Sequence, residues 1–137
     1  MGAAADSPNA AQKELKRLEG DWKMVSAELD GQNDARASKM RMVVEDGIAT
    51  TYYGNTRHEQ LRLTVDPGAD PKTVDLTPAR GGGKTGLGIY RLSEDGNKLE
   101  MCYSYDKKRP RKFTTRPGVG SGRILRVYER EKDDAGK

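Results

Sequence analysis

The run Leu18-Glu19-Gly20-Asp21-Trp22-Lys23-Met24-Val25-Ser26 marks the place where one backbone period gives way to another. Upstream of it, Ala11, Leu15 and Leu18 recur at helical spacing with Lys and Glu on the other faces, which predicts a short helix over about 9–19. Gly20 ends that pattern, and from Trp22 onward apolar and polar residues alternate, the period of a strand with one wet face. Followed outward, the alternation predicts eight strands, over about 21–29, 39–45, 48–54, 57–65, 72–77, 85–93, 97–105 and 123–131. Turn signals separate them at Glu45-Asp46-Gly47, Gly54-Asn55, Asp66-Pro67-Gly68, Pro78 to Gly83 and Glu94-Asp95-Gly96-Asn97. Short links between successive strands favour an antiparallel meander, and closing it removes the exposed edges of an open sheet. The expected fold is all-β: an eight-stranded antiparallel up-and-down barrel with a short N-terminal helix. It occupies residues 9–131, between disordered segments at 1–8 and 132–137.

Composition agrees with one such domain. A chain of 137 residues can bury a core without metal or disulfide staples, and 34% hydrophobic against 34% charged residues suits strands that use apolar positions sparingly. The single Cys102 excludes an internal disulfide and a multi-cysteine zinc site. No apolar run approaches the roughly 20 residues of a membrane-spanning helix. Ala3-Ala4-Ala5-Asp6 reads like the small-residue tail of a signal-peptide cleavage site behind a restored start methionine, so export to the periplasm or the medium is expected, with a cytoplasmic location left open.

As a set, Leu18 to Trp22, Lys72-Thr73-Val74-Asp75-Leu76, Leu87-Gly88-Ile89-Tyr90, Arg109-Pro110 with Phe113, and Leu125 to Glu131 resemble a family of small, functionally uncharacterised lipocalin-like bacterial domains abundant in planctomycetes, within the calycins. The resemblance covers about residues 12–131 and implies a fold without supplying an activity. The two ends are also similar to fatty-acid-binding proteins: Gly20 and Trp22 to their opening Gly-x-Trp signature, and Arg126-Val127-Tyr128 to the Arg-x-Tyr that holds a carboxylate in the last strand. Those proteins insert a helical lid after the first strand. Here about nine residues separate Asp30 from Lys39, which implies a lidless barrel. The resemblance further implies that Arg126, Tyr128 and Arg91 contact a ligand carboxylate, and that Arg130 lies over Trp22 as a structural cation–π pair.

Strand alternation puts Ile124, Arg126, Tyr128 and Arg130 on one face of the last strand and Leu125, Val127 and Glu129 on the other. With the first set inside, Arg126 offers a planar fork to a carboxylate and Tyr128 a hydroxyl. With the second set inside, both are surface residues, and the sequence leaves the choice open. Elsewhere the expected inward sets are Trp22 and Met24, Met40 and Met42, Leu61 and Leu63, Val74 and Leu76, Leu87 and Ile89, and Leu99 with Met101, Tyr103 and Tyr105. The methionines suit either a pocket for a flexible ligand or a barrel filled by its own side chains.

The meander gathers the loops at 30–39, 54–57, 78–85 and 106–123 at one end, and these carry Arg80, Lys84, Lys107, Lys108, Arg109, Arg111, Lys112 and Arg116. A basic rim at the barrel mouth is therefore expected, steering anionic ligands or docking an acidic macromolecule. Nucleic acid is the weaker candidate, because the basic loop holds only Phe113 for base stacking. Gly81-Gly82-Gly83-Lys84-Thr85 precedes a strand where a phosphate-binding loop requires a helix. His58 is the lone histidine, and Glu45-Asp46 and Glu94-Asp95 sit in turns where neighbouring carboxylates diverge. No catalytic set, metal site or cofactor is expected. The sequence thus points to a monomeric binder of a small amphipathic anion such as a fatty acid, or to a non-catalytic interaction module with a filled barrel.

Overall fold

The computed structural model describes residues 8–115 and 122–131. The segments expected to be disordered lie outside these residues, except that Pro8 already belongs to the helix. Helix α1 (Pro8–Leu18) opens on that proline, whose fixed φ and missing N–H suit a first helical turn. Gly20 then takes φ +126°, a value that L side chains rarely adopt, and turns the chain into β1 (Gly20–Leu29). A two-residue β2 (Gln32–Asn33) folds back on β1, and a 3₁₀ turn (Ala35–Lys39) leads to β3 (Met40–Glu45). There follow β4 (Ile48–Tyr53), β5 (Thr56–Asp66), β6 (Lys72–Pro78), β7 (Gly86–Leu92), β8 (Lys98–Ser104) and β9 (Ile124–Arg130).

Every long strand pairs antiparallel with the next, and β1 pairs with both β3 and β9, from Trp22 opposite Arg130 to Leu29 opposite Ile124. The eight long strands therefore close into an up-and-down barrel with β2 as a small flap, and no long edge remains unpaired. The tight β3–β4 hairpin is set by Asp46 and Gly47, both at positive φ as a type I′ turn demands. One end of the barrel is stoppered by α1, whose Leu18 is wholly buried and whose Ala11 and Leu15 pack on the core. The other end is the mouth.

The interior is filled. Trp22, Met24, Val74, Leu99, Met101, Tyr103 and Tyr128 are each 0–3% exposed, which leaves no water-sized void among them. Of the expected inward sets, that of β7 is reversed: Tyr90 joins the interior core with Gly86 and Gly88 on its side of the strand, while Leu87 and Ile89 face outward. Two causes act together. A Cβ at Gly88 would meet Tyr103 Cβ at 2.6 Å, so the aromatic stripe of β8 occupies the space that a β7 side chain would need. Outside, residues 106–115 form a strap that leaves the mouth and runs down the barrel wall, burying Ile89 to 1% and Cys102 to 0% exposure. The outer face is thus apolar as well, and alternation alone misassigns it.

The strap is pinned along its length. Arg109 Nη1 donates to the Gly88 carbonyl at 2.8 Å and pairs with Asp75 at 2.8 Å, Pro110 is buried, and Phe113 lies under the Arg91 guanidinium at 4.2 Å. On the return, Cys102 Sγ donates to the Thr114 carbonyl at 3.7 Å, and Thr115 Oγ1 donates to Glu28 and accepts from the Gly31 N–H, both at 2.9 Å.

Candidate anion site at the barrel mouth

The register of β9 settles which face is inside. Tyr128 is 1% exposed within the core and Ile124 packs against it, so Arg126 between them also points inward. Its neighbours in the wall are Met101 on β8 and Ala27 on β1. From there the guanidinium crosses the interior to β5, four strands away by either route, where Nη1 stands 3.9 Å from Glu59 Oε1. The Tyr103 ring lies alongside, its centroid 5.8 Å from Arg126 Cζ.

This arrangement leaves the cation only partly satisfied: it hydrogen-bonds the Tyr128 hydroxyl, but its contact with Glu59 is long. The Arg126 side chain is 15% exposed and that of Glu59 32%, so solvent reaches the pair from the mouth. Arg126 Nε is buried without a hydrogen-bond partner among the described residues, and so is Thr51 Oγ1 on β4, whose register partner is Glu59. Burial disfavours the Arg126 charge, but Tyr128, Tyr103 and Glu59 outweigh it and hold the group firmly protonated. Burial likewise raises the Tyr128 hydroxyl, with Arg126 offsetting part of the effect, so Tyr128 is a neutral donor at ordinary pH. Chemically, the site is a fixed cation with unused donor capacity, open toward solvent and floored by packed apolar side chains.

Arg91 is not part of it. Its register partner is Glu100 on the outer face of β8; Nε donates to Glu100 at 2.8 Å, and the side chain is 56% exposed against Phe113 of the strap. Tyr90 takes the inward position beside it, so the expected third carboxylate contact lies on the opposite side of the wall.

The basic rim is also divided. Arg80 and Lys84 stand exposed in the β6–β7 loop at the mouth, and Lys107 at the top of the strap. Lys108 and Arg109 start down the outer wall, and Arg111 and Lys112 reach the closed-end turn at Asp70-Pro71. Arg116 lies outside the described residues. The strap therefore carries basic charge away from the mouth, which corrects the expectation that all of it gathers there.

At the closed end, Arg130 makes three hydrogen bonds to carbonyls: Nε to Gly96 at 3.0 Å, Nη1 to Glu19 at 2.6 Å and Nη2 to Arg17 at 2.9 Å. It lies 4.2 Å over the Trp22 ring, whose Nε1 donates to the Leu18 carbonyl at 2.8 Å. Gly20 belongs to the same cluster, since a Cβ there would sit 2.7 Å from Arg130 Nη1.

A buried network that sequence reasoning missed also lies at this end. Glu14 of α1, 6% exposed, accepts from Tyr90 at 2.7 Å and Lys72 at 3.0 Å on one oxygen and from Arg17 at 3.3 Å on the other. Burial pushes the Glu14 carboxyl up, but hydrogen bonds from Tyr90 and Lys72, with the charges of Lys72 and Arg17, more than offset it and leave the carboxyl below its ordinary range. Burial and Glu14 together raise the Tyr90 hydroxyl far above the range of a working acid or base, so the network is a latch for the helix. Among the described residues no three His, Cys, Asp or Glu side chains converge as metal ligands, and no helix is long and apolar enough to cross a membrane.

No protein-family model matches the chain, and no curated protein or solved structure is significantly similar to it, so the geometry described above is the basis for reading its function.

Proposed function

We propose that the chain is a lipocalin-like binding protein for a small amphipathic anion, held at the mouth end of the barrel with its carboxylate on Arg126. The observation that carries this reading is a buried guanidinium whose Nε has no partner among the described residues and which faces an acid only at 3.9 Å. A carboxylate entering from the mouth would replace that long contact with a forked, charge-assisted pair. The packed interior below Arg126 sets the ligand's orientation: a tail directed inward would have to displace Met24, Met101 and Tyr103, all nearly fully buried. A ligand with its carboxylate on Arg126 therefore keeps its tail toward the mouth.

Glu59 acts as an internal competitor in this scheme. Calorimetric titration with octanoate is expected to show saturable one-to-one binding that Arg126→Leu weakens roughly ten- to hundredfold, the range for a hydrogen-bonded charge. Glu59→Gln is expected to tighten binding several-fold. Equal affinity in wild type and Arg126→Leu would sink the proposal, as would the absence of saturable binding in Glu59→Gln.

The second reading, a filled barrel that docks an acidic macromolecule through its basic residues, is supported by the same packed interior. It places the functional surface outside the barrel.

A further inference from the structure

The displaced strap creates a surface absent from a simple barrel. Between it and the β5–β6 turn lie two adjoining depressions, of about 720 Å³ and 610 Å³, which share Asp70, Pro71, Arg111 and Lys112. Together they make one groove along the outer wall. Much of its lining is carbon, from Ala69, Pro71, Pro110, Leu92 and Phe113.

The charges along this groove fall into two groups. Arg109 is neutralised by Asp75, Lys72 by Glu14 and Arg91 by Glu100. Half-buried Arg123 also lines the groove without an ion-pair partner among the described residues; Lys108, Arg111 and Lys112 are exposed and likewise have none, and the only acid in the lining is Asp70. These three cations are presented on a segment held by the Arg109 anchor, buried Pro110 and the Phe113 stack, so little ordering entropy remains to be lost when a partner binds.

We infer that this groove is a docking site for an extended acidic peptide segment of a partner protein, with its carboxylates on Lys108, Arg111 and Lys112 and its apolar side chains against Pro71 and Phe113. The inference deepens the second reading above, moving the docking surface from the mouth rim to the outer wall. Charge complementarity selects an acidic partner, and the carbon-rich lining between separated cations selects a peptide over a sugar polymer or polyphosphate. Nucleic acid is disfavoured because the strap carries only one aromatic ring, Phe113, too few for a run of stacked bases.

Fluorescence anisotropy with a labelled decapeptide of alternating Glu and Leu tests the assignment, using polyphosphate and a single-stranded oligonucleotide of matched charge as competitors. The expected result is saturable binding that falls tenfold or more in the Arg111→Glu/Lys112→Glu double variant. The Arg80→Glu/Lys84→Glu double variant, with an identical change in net charge, is expected to bind within twofold of wild type. All four positions are exposed, so both variants should unfold at wild-type urea concentrations. Loss in the Arg80/Lys84 variant alone would return the docking surface to the mouth rim and overturn the groove while sparing the second reading. Equal loss in both variants would reduce the effect to net charge and overturn the groove as well. Displacement by polyphosphate or oligonucleotide at lower concentration than by unlabelled peptide would overturn the choice of partner, and no saturable binding would overturn both.

Discussion

Arg126 and Arg130 lie on the same face of the same strand, two repeats of the alternation apart, and the barrel treats them in opposite ways. At the closed end Arg130 gives hydrogen bonds to three carbonyls and covers Trp22. Toward the mouth Arg126 hydrogen-bonds Tyr128, but among the described residues its Nε has no partner and its nearest ion-pair acid stands at 3.9 Å. Identical chemistry thus serves closure in one place and remains available in the other. What separates the two is the supply of acceptors: the helix end and the β8 turn bring carbonyls to Arg130, whereas Arg126 is surrounded by tyrosines, Met101 and one distant glutamate. A buried arginine on a repeating strand face says little until its acceptors are counted.

Stability measurements sharpen that contrast. Arg130→Ala leaves three carbonyls without their donor and uncovers Trp22, so a loss of about 3 kcal/mol is expected in urea unfolding; a loss below about 1 kcal/mol would erase the distinction between the two ends. Glu14→Ala removes the helix latch and should cost about 2 kcal/mol. Because the folded Glu14 carboxyl is held below its ordinary value of 4.5, its contribution is complete above that pH and is lost as pH falls through the lower folded value. Wild-type stability should therefore decline on acidification in that window more than Glu14→Gln stability does, as acid titrations followed by circular dichroism would show. Arg109→Ala should cost about 1 kcal/mol globally while loosening the strap. Its clearest signature is kinetic: burial raises the Cys102 thiol and hides it, so modification by a disulfide reagent should be slow in wild type and at least tenfold faster in the variant. Arg126→Leu should move stability by less than about 1 kcal/mol in either direction, since exchanging a poorly paired buried charge for an apolar side chain is often neutral or favourable.

Much of the barrel was legible because its strands obey a simple alternation and its hairpins carry strong turn residues. All eight long strands fall within about two residues of their expected limits, and the inward sets on β1, β3, β5, β6 and β8 are those read from the sequence. Alternation stopped being informative where the strap covers the outer wall. There Ile89 and Cys102 are as buried as the interior residues, so the apolar character of Leu87, Ile89, Leu125 and Val127 could not show which face was inside. Arg91 was expected among the ligand contacts from the resemblance to fatty-acid-binding proteins, and the reversed face of β7 carries it outside. Glu14 looked like an ordinary charged helix position because its partners, Lys72 and Tyr90, lie 58 and 76 residues away. The excess of basic residues in the last long loop was plain in the sequence, but the path that carries Arg111 and Lys112 down the wall depends on Arg109 meeting Asp75 and the Gly88 carbonyl, which no local pattern encodes.

The β1–β9 seam has a consequence for how the chain comes into being. Trp22 pairs with Arg130 across nearly the whole domain, so one side of the first strand stays open until the last strand has been made. A growing chain can form the hairpins from β3 to β8 in order, each by a short loop closure, yet it carries two bare edges throughout. The final step joins those edges, seats Arg130 over Trp22 and ends the period during which neighbouring nascent chains could pair with either edge. Substitutions that weaken the seam therefore act first on the yield of folded protein during synthesis, even where the finished barrel tolerates them.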